Sequence, residues 1–183
     1  MIIPLQYAVL VGVGLSVILH VIRQSNQMTI KRWQLDPEGN LIETDPPAQL
    51  GAGEVVVLQP YGSLFFAAAP LLESKLPAPA ESCRDSVVIL RLRGRTDLGT
   101  TLMEVLRRYA LTLNATGSKL VVVSASERIQ DQLRVTGVTD VIGPGNIYPG
   151  DERVGATIKR AYADANAWIS QQRRAAGTDT EPP

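Results

Sequence analysis

An uninterrupted apolar segment at the N-terminus limits what the rest of the chain can be. Residues 1 to 22 contain no Asp, Glu, Lys or Arg, and the polar Gln6, Ser16 and His20 are scattered among aliphatic residues. At ~1.5 Å per residue, about 20 such residues span the ~30 Å hydrocarbon layer of a bilayer. The segment therefore predicts one transmembrane helix over residues 2 to 22, with a signal peptide or a buried core helix as the alternative.

The charges that follow this segment predict its orientation. Arg23, Lys31 and Arg32 all come after it, and basic residues that flank a span stay on the cytoplasmic side. We therefore expect a single span in the inner cell membrane, with the C-terminal domain in the cytoplasm. Gly12 and Gly14 lack the third glycine and the acidic residue of a dinucleotide fingerprint, and small residues in a span instead let another helix approach closely.

Composition argues against several classes of site. The 183 residues carry 18 basic and 18 acidic side chains, so the net charge is zero and indicates no nucleic-acid partner. Cys83 is the only cysteine and His20 the only histidine, which argues against a disulfide, a Cys or His metal centre and a Ser/His/Asp triad. We predict no enzyme, no metal and no cofactor.

The remaining chain alternates between strand and helix patterns. Strands are expected at residues 28 to 35, 41 to 44, 54 to 59, 63 to 66, 87 to 93, 120 to 123 and 141 to 142, with a hairpin turn at 36 to 40. Helices are expected at residues 67 to 75, 101 to 115, 124 to 135 and about 151 to 174, the third opened by a Ser124 and Glu127 capping box. Alternation of this kind implies parallel strands. The sequence predicts an α/β domain over residues 23 to 174, with a mixed, partly parallel sheet flanked by helices, and a disordered tail over 175 to 183.

The turn after the strand at residues 87 to 93 carries candidate functional residues. Open α/β sheets bind ligands at the carboxyl ends of their strands, and this turn contains Gly94 and ends in Thr100 and Thr101. The two hydroxyls either cap the following helix or accept a phosphate that the positive end of the helix favours.

Three alternating arginines precede and enter this turn. Arg91, Arg93 and Arg95 are spaced to point to one face of a strand. Guanidinium groups match oxyanions bidentately, so these side chains could receive a nucleotide, a phosphate or an inorganic anion. The alternative is that they pair with Asp97, Glu104 or membrane-side carboxylates at the rim of the sheet.

The order of these features resembles the STAS domain. A strand ends in Leu-Xaa-Gly at residues 92 to 94, a hydroxyl pair opens an amphipathic helix, and a later helix ends in Leu-Xaa-Xaa-Xaa-Gly at 133 to 137. STAS domains occur in bacterial anti-sigma-factor antagonists and at the cytoplasmic C-terminus of SulP-family anion permeases. The permeases resemble this chain more closely, because their last membrane helix directly precedes the domain. The resemblance covers about residues 2 to 168.

In the antagonists, the turn carries Asp-Ser-Ser-Gly, and the second serine is the phosphorylated switch. Matched position by position, Gly99 stands for the aspartate, Thr100 and Thr101 for the serines and Leu102 for the glycine. The resemblance therefore implies Thr101 as the equivalent position, with half of the motif changed.

The resemblance to SulP permeases implies the C-terminal regulatory portion of a secondary transporter of sulfate, bicarbonate or a similar inorganic anion. One helix supplies no transport path, because transporter sites lie between bundles of helices. Expected partners are a transmembrane core missing from this chain or a second copy of it, membrane lipid, and an anion or nucleotide. The alternative function is a membrane-anchored STAS signalling switch that binds a partner protein through the Thr100/Thr101 turn.

Overall fold

The computed structural model describes residues 5–25, 28–35, 41–62, 69–151 and 155–177. The predicted turn at 36–40, the extended stretch at 63–66 and most of the expected tail lie outside these ranges. The described elements are, in chain order, α1 (Leu5–Ser25), β1 (Thr29–Leu35), β2 (Leu41–Thr44), β3 (Gln49–Leu50), β4 (Val55–Tyr61), α2 (Ala69–Lys75), β5 (Ala78–Pro79), β6 (Val87–Arg91), α3 (Gly99–Asn114), β7 (Lys119–Ala125), α4 (Glu127–Val135), α5 (Val138–Ile142), a 3₁₀ turn (Pro144–Asn146), β8 (Ile147–Pro149) and α6 (Ala156–Ala175).

Six strands form one mixed sheet in the order β2-β1-β4-β6-β7-β8. Strand β1 is antiparallel to β2 and to β4, which confirms the predicted hairpin pairing. Strands β4, β6, β7 and β8 are mutually parallel. A second sheet of β3 and β5 lies in segments where no strand was predicted, because two residues are too short to show a hydrophobic period.

The two faces of the sheet are covered unequally. The larger core packs Val88 and Leu90 of β6 against α3 and its neighbouring helices. The smaller core packs Val87 and Ile89 of the same strand against α6, through Ala161, Ala165 and Ile169 among others. Lys119 also lies 3.9 Å above the Trp168 ring, a cation–π contact that fastens α6 to β7. The fold is therefore an α/β domain with a mixed sheet between helices, as predicted.

Helix α3 confirms the predicted amphipathic pattern. Its predicted inner face is Leu102, Val105, Leu106, Tyr109 and Leu113, and all but the half-buried Tyr109 are buried. Burying a leucine side chain contributes about 2 kcal/mol, so this face is the main reason why α3 stays on the sheet.

Two local predictions are wrong. Residues 141 to 142 lie in helix α5 and not in a strand, and the last strand is β8. The cap of α4 is Ser126, whose Oγ accepts from the Ile129 amide at 3.4 Å, and not Ser124. Ser124 has a φ of 59° beside a break in the β7–β8 register, so its backbone is in the left-handed region rather than at a helix start.

Helix α1 buries none of its described side chains. Residues 6–20 are all exposed, including Leu10 at 67% and Val11 at 70%. Over the residues that the structure describes, no helix is both long and apolar enough to cross a membrane. The transmembrane span predicted for residues 2 to 22 is therefore not shown, and what is observed there is the exposed helix Leu5–Ser25.

Candidate functional site

The candidate residues lie at one edge of the sheet, where β4, β6 and β7 end. We call this edge, together with the turn at residues 92–98, the carboxyl edge. Because Leu58 pairs with Leu90 in parallel register, Gln59 lies level with Arg91 and the turn projects beyond them. This is the edge at which open α/β sheets place ligands.

Arg91 is 7% exposed, and it has no carboxylate partner within the described ranges. Its Nη1 donates to Gln59 Oε1 at 2.6 Å, and its guanidinium lies 4.5 Å from the centre of the Trp33 ring. Burial, followed by the nearby charge of Arg93, lowers the pKa of Arg91. The group stays ionised at neutral pH because arginine is not deprotonated in proteins, so the carboxyl edge holds a largely buried cation.

The other nitrogens of Arg91, Nε and Nη2, make no hydrogen bond to a side chain or backbone group in the described part of the chain. Arg91 therefore keeps donors beyond the one that binds Gln59. The nearby Glu43 is engaged elsewhere, since its Oε1 accepts from Trp33 Nε1 at 2.9 Å and from the Tyr61 hydroxyl.

Arg93 and Arg95 differ from Arg91 in their surroundings. Arg95 is partly buried and donates to the carbonyl oxygens of Gly62 and, at 3.1 Å, Pro60, and burial lowers its pKa. Arg93 is exposed and forms neither a hydrogen bond nor an ion pair with any described residue. The three arginines thus lie at one edge of the sheet but differ in burial and in hydrogen-bond partners.

The acidic partners proposed for these arginines are paired elsewhere. Asp97 Oδ2 lies 3.1 Å from Arg128 Nη2, and Glu104 Oε1 lies 3.8 Å from Arg107 Nη1. No carboxylate described in the structure therefore neutralises the three arginines through an ion pair.

Gly94 shapes the turn between β6 and α3. Its φ is +76°, a conformation that glycine adopts without the clash of a Cβ atom. The Arg95 amide then donates to the Leu92 carbonyl at 3.1 Å, which closes the turn. Gly94 thereby positions Arg93 and Arg95 and needs no contact with a ligand.

Thr100 and Thr101 lie in the first turn of α3, and both are exposed. Neither is the cap, because the helix begins at Gly99 and the preceding Leu98 provides no side-chain cap. Asp97 Oδ1 instead accepts from the Gly99 amide at 2.9 Å. Both exposed threonines therefore lie, without a capping role, at the positive end of a 16-residue helix, where added negative charge is favoured.

Sequence reasoning missed the group that holds this helix start in place. Gln132 of α4 donates to Asp97 Oδ1 at 2.9 Å and accepts from the Leu98 amide at 3.3 Å. The Gln132 hydrogen bond, followed by the Gly99 amide, lowers the pKa of Asp97. An aspartate two residues before a helix was the available signal, whereas Gln132 is recognisable only from its position in space.

The described surface also contains a cavity of about 400 Å³ away from these residues. It lies beside α4 and is lined by Glu127, Gln130, Asp131, Arg134, Thr139, Pro144 and Ile147. None of the candidate residues lines it. Across the described ranges, no group of three or more His, Cys, Asp or Glu side chains is arranged to hold a metal ion.

Comparison with known proteins agrees with this fold. The sequence pattern of the STAS domain family matches residues 47–154, whereas no curated protein matches the chain in sequence. Among solved structures, SLC26A9 is similar at a TM-score of 0.64 and 15% identity, over 94% of this chain and 29% of that one. The murine Slc26a9 anion transporter in its inward-facing state is similar at 0.60 and 21%, over 88% and 26%.

These two likenesses concern the fold, and this chain spans less than a third of either transporter chain. The family match is independent of them and covers more than half of the sequence. The four parallel strands β4, β6, β7 and β8, the turn at Gly94 and the threonines at the start of α3 all lie within the matched residues. The chain belongs to the STAS domain family.

Proposed function

We propose that this chain is the C-terminal regulatory portion of a SulP-like secondary transporter of sulfate, bicarbonate or a similar inorganic anion. The observation that carries the proposal is an exposed apolar helix that lies four residues before β1, a strand of the same sheet as the STAS match at residues 47–154. The alignment with SLC26A9 covers 94% of this chain, and it must include part of α1 because residues 26 to 183 are a smaller share.

Helix α1 is assigned to the inner membrane, with the STAS domain in the cytoplasm. A contiguous exposed apolar surface of this size marks a contact with protein or membrane. The uncharged apolar run of residues 2 to 22 extends beyond the described ranges, and over its full length of about 20 residues it would span the ~30 Å of bilayer hydrocarbon. A Cβ atom added at Gly12 or Gly14 meets nothing within 4 Å, which leaves room for a helix of the transporter core.

The domain itself is assigned a regulatory contact and no transport path. Transport requires repeated membrane helices around a central site, and α1 alone supplies none. The expected partner is therefore a transmembrane core that lies outside the residues of this sequence and that α1 contacts. A second copy of this chain is the alternative partner.

The membrane assignment is tested by a charge placed in the middle of α1. Val13 and Val135 are both exposed valines, at 57% and 82%, but Val135 lies at the end of α4. Val13→Asp should release the chain from membranes floated in a neutral high-salt gradient, because a carboxylate at the bilayer centre is strongly disfavoured. Val135→Asp should leave it bound. Wild-type protein that is folded and stays with the soluble fraction would reject the proposal.

The transporter core is tested separately. A reading frame beside this one that encodes several apolar segments of about 20 residues would supply it. Its product should copurify with the wild-type chain in mild detergent and be lost with Val13→Asp. Copurification that survives this change would place the contact outside α1.

A second function rests on the exposed hydroxyls of Thr100 and Thr101. In this account the chain is a membrane-anchored signalling switch, and a phosphate at Thr101 changes the affinity for a partner protein at the start of α3. Thr112 is an exposed threonine near the other end of the same helix. Thr101→Glu should alter binding of the copurifying partner, while Thr112→Glu should not. Equal effects, together with unmodified threonines in mass spectra of the native protein, would reject the switch.

A further inference from the structure

We propose that the carboxyl edge binds the phosphate groups of anionic lipids through Arg93 and Arg95, with Arg91 behind them. This inference rests on the proposed function, because it requires α1 to lie in the membrane. It adds a lipid-binding surface on the domain to the apolar contact made by the helix.

The register of the sheet places the C-terminal end of α1 at the same edge of the domain as these arginines. Thr29, the first residue of β1, pairs with Tyr61, the last residue of β4. Ser25 lies only four residues before Thr29, so its Cα is at most about 14 Å away. Arg95 binds the Pro60 carbonyl, and Pro60 pairs with Ile30, which follows Thr29. The point at which the chain leaves α1 and the arginines therefore share one edge of the domain.

The described charges of this edge leave a positive surplus. Of the acidic groups nearby, Asp45 pairs with Lys31 at 2.8 Å and Asp97 with Arg128 at 3.1 Å. Glu43 hydrogen-bonds to Trp33 and Tyr61, which carry no positive charge, so it offsets one of the three arginine charges and leaves a surplus. The three arginines have no such partner among the described residues. An uncompensated cation at a membrane surface is attracted by the anionic lipids of the cytoplasmic leaflet within a Debye length of about 8–10 Å.

The exposure of the donors favours a headgroup over an enclosed small anion. Arg93 is exposed and Arg95 is only partly buried, and the described cavity of about 400 Å³ lies elsewhere, beside α4. A guanidinium group that is open to solvent can donate to the phosphate of a large molecule as readily as to free phosphate. It binds phosphate bidentately. Since α1 brings the membrane to this edge, the headgroup is the ligand supplied there at high local concentration.

The test uses the full chain in a nonionic detergent. Dioctanoyl phosphatidylglycerol, dioctanoyl phosphatidylcholine and inorganic phosphate are titrated separately, and binding is followed by thermophoresis at two salt concentrations. Arg93→Gln is compared with Arg174→Gln. Arg174 is also exposed, but it lies at the opposite edge, where its neighbour Arg173 reaches the Gly53 carbonyl before β4.

We expect phosphatidylglycerol to bind and phosphatidylcholine not to bind. Arg93→Gln should weaken phosphatidylglycerol binding about fivefold, the effect of one basic side chain near an anionic surface, and Arg93→Glu should weaken it further. Arg174→Gln should bind as the wild type does, and high salt should weaken every arginine-dependent interaction.

Two results would overturn the inference. Equal lipid binding by Arg93→Gln and Arg174→Gln would show that Arg93 does not contribute to a lipid site. Arginine-dependent binding of inorganic phosphate as tight as that of the lipid would show that the site binds a free oxyanion. Either result leaves the membrane assignment of α1 intact, because flotation of Val13→Asp tests that assignment independently.

Discussion

Helices α1 and α3 are both long and rich in aliphatic side chains, yet their surroundings are opposite. Helix α3 buries Leu102, Leu106 and Leu113 in the core of the domain. Every side chain of α1 from residue 6 to 20 is exposed, and α1 has no charged face to turn toward water. Helix α3 therefore packs against residues of its own chain, whereas the described part of α1 leaves its apolar surface uncovered.

The largest expected difference between the two helices is the effect of a leucine-to-alanine change on the free energy of unfolding of the domain. Leu106 is 0% exposed, so Leu106→Ala should lower the free energy of unfolding of the domain by about 2–5 kcal/mol. Leu15→Ala in α1, where the side chain is 55% exposed, should change it by less than about 0.5 kcal/mol. Urea denaturation of the full chain in mild detergent, followed by tryptophan fluorescence, measures both. A comparable loss for Leu15→Ala would mean that α1 packs on the domain.

Glycine-to-alanine substitutions should produce a smaller difference in domain stability between the two regions. A Cβ at Gly137 or at Gly14 meets nothing within 4 Å, so space is equal at the two positions. Gly137 has a φ of +71° at the end of α4, and Gly137→Ala should destabilise the domain by about 1 kcal/mol. Gly14 lies within α1, where alanine is the better helix former, so Gly14→Ala should leave the stability of the domain unchanged. Thermal melts that show equal losses would contradict this reading of the two backbones.

Acid should destabilise the start of α3. The hydrogen bond from Gln132 and the Gly99 amide lower the pKa of Asp97. A carboxylate with a lowered pKa contributes stability that is present above its unfolded value, about 3.9, and is lost as the pH falls toward the folded value. Asp97→Asn should therefore flatten the dependence of unfolding free energy on pH below about pH 4. Asp140→Asn in α5 is the surface control, and equal flattening by both changes would argue against a specific role for Asp97.

The elements that were predicted correctly have a signal in neighbouring residues. The buried face of α3 and the β1–β2 hairpin follow from spacing and turn chemistry within short segments. The errors arose where the outcome depends on distant contacts. Val141 and Ile142 are β-branched and read as a strand, but they belong to the short α5, packed against α3 and α4 in the larger core.

The candidate site was predictable only in part. Gly94, the arginines and the threonine pair were visible because they follow a strand. Their environment was not, since Trp33 and Gln59 come from other strands and Gln132 from another helix. The expected carboxylate partners of the arginines were a guess from proximity in sequence, and the structure pairs those carboxylates with other side chains.

The most direct test of the account is the location of α1 relative to the bilayer. Val13→Cys and Leu111→Cys place a fluorophore on an exposed position of α1 and of α3, while the native Cys83 is 2% exposed and escapes labelling. In reconstituted bilayers, the label at position 13 should be quenched by nitroxide lipids and not by an aqueous quencher, and the label at position 111 should show the reverse. Aqueous quenching of both labels to the same extent would contradict the account.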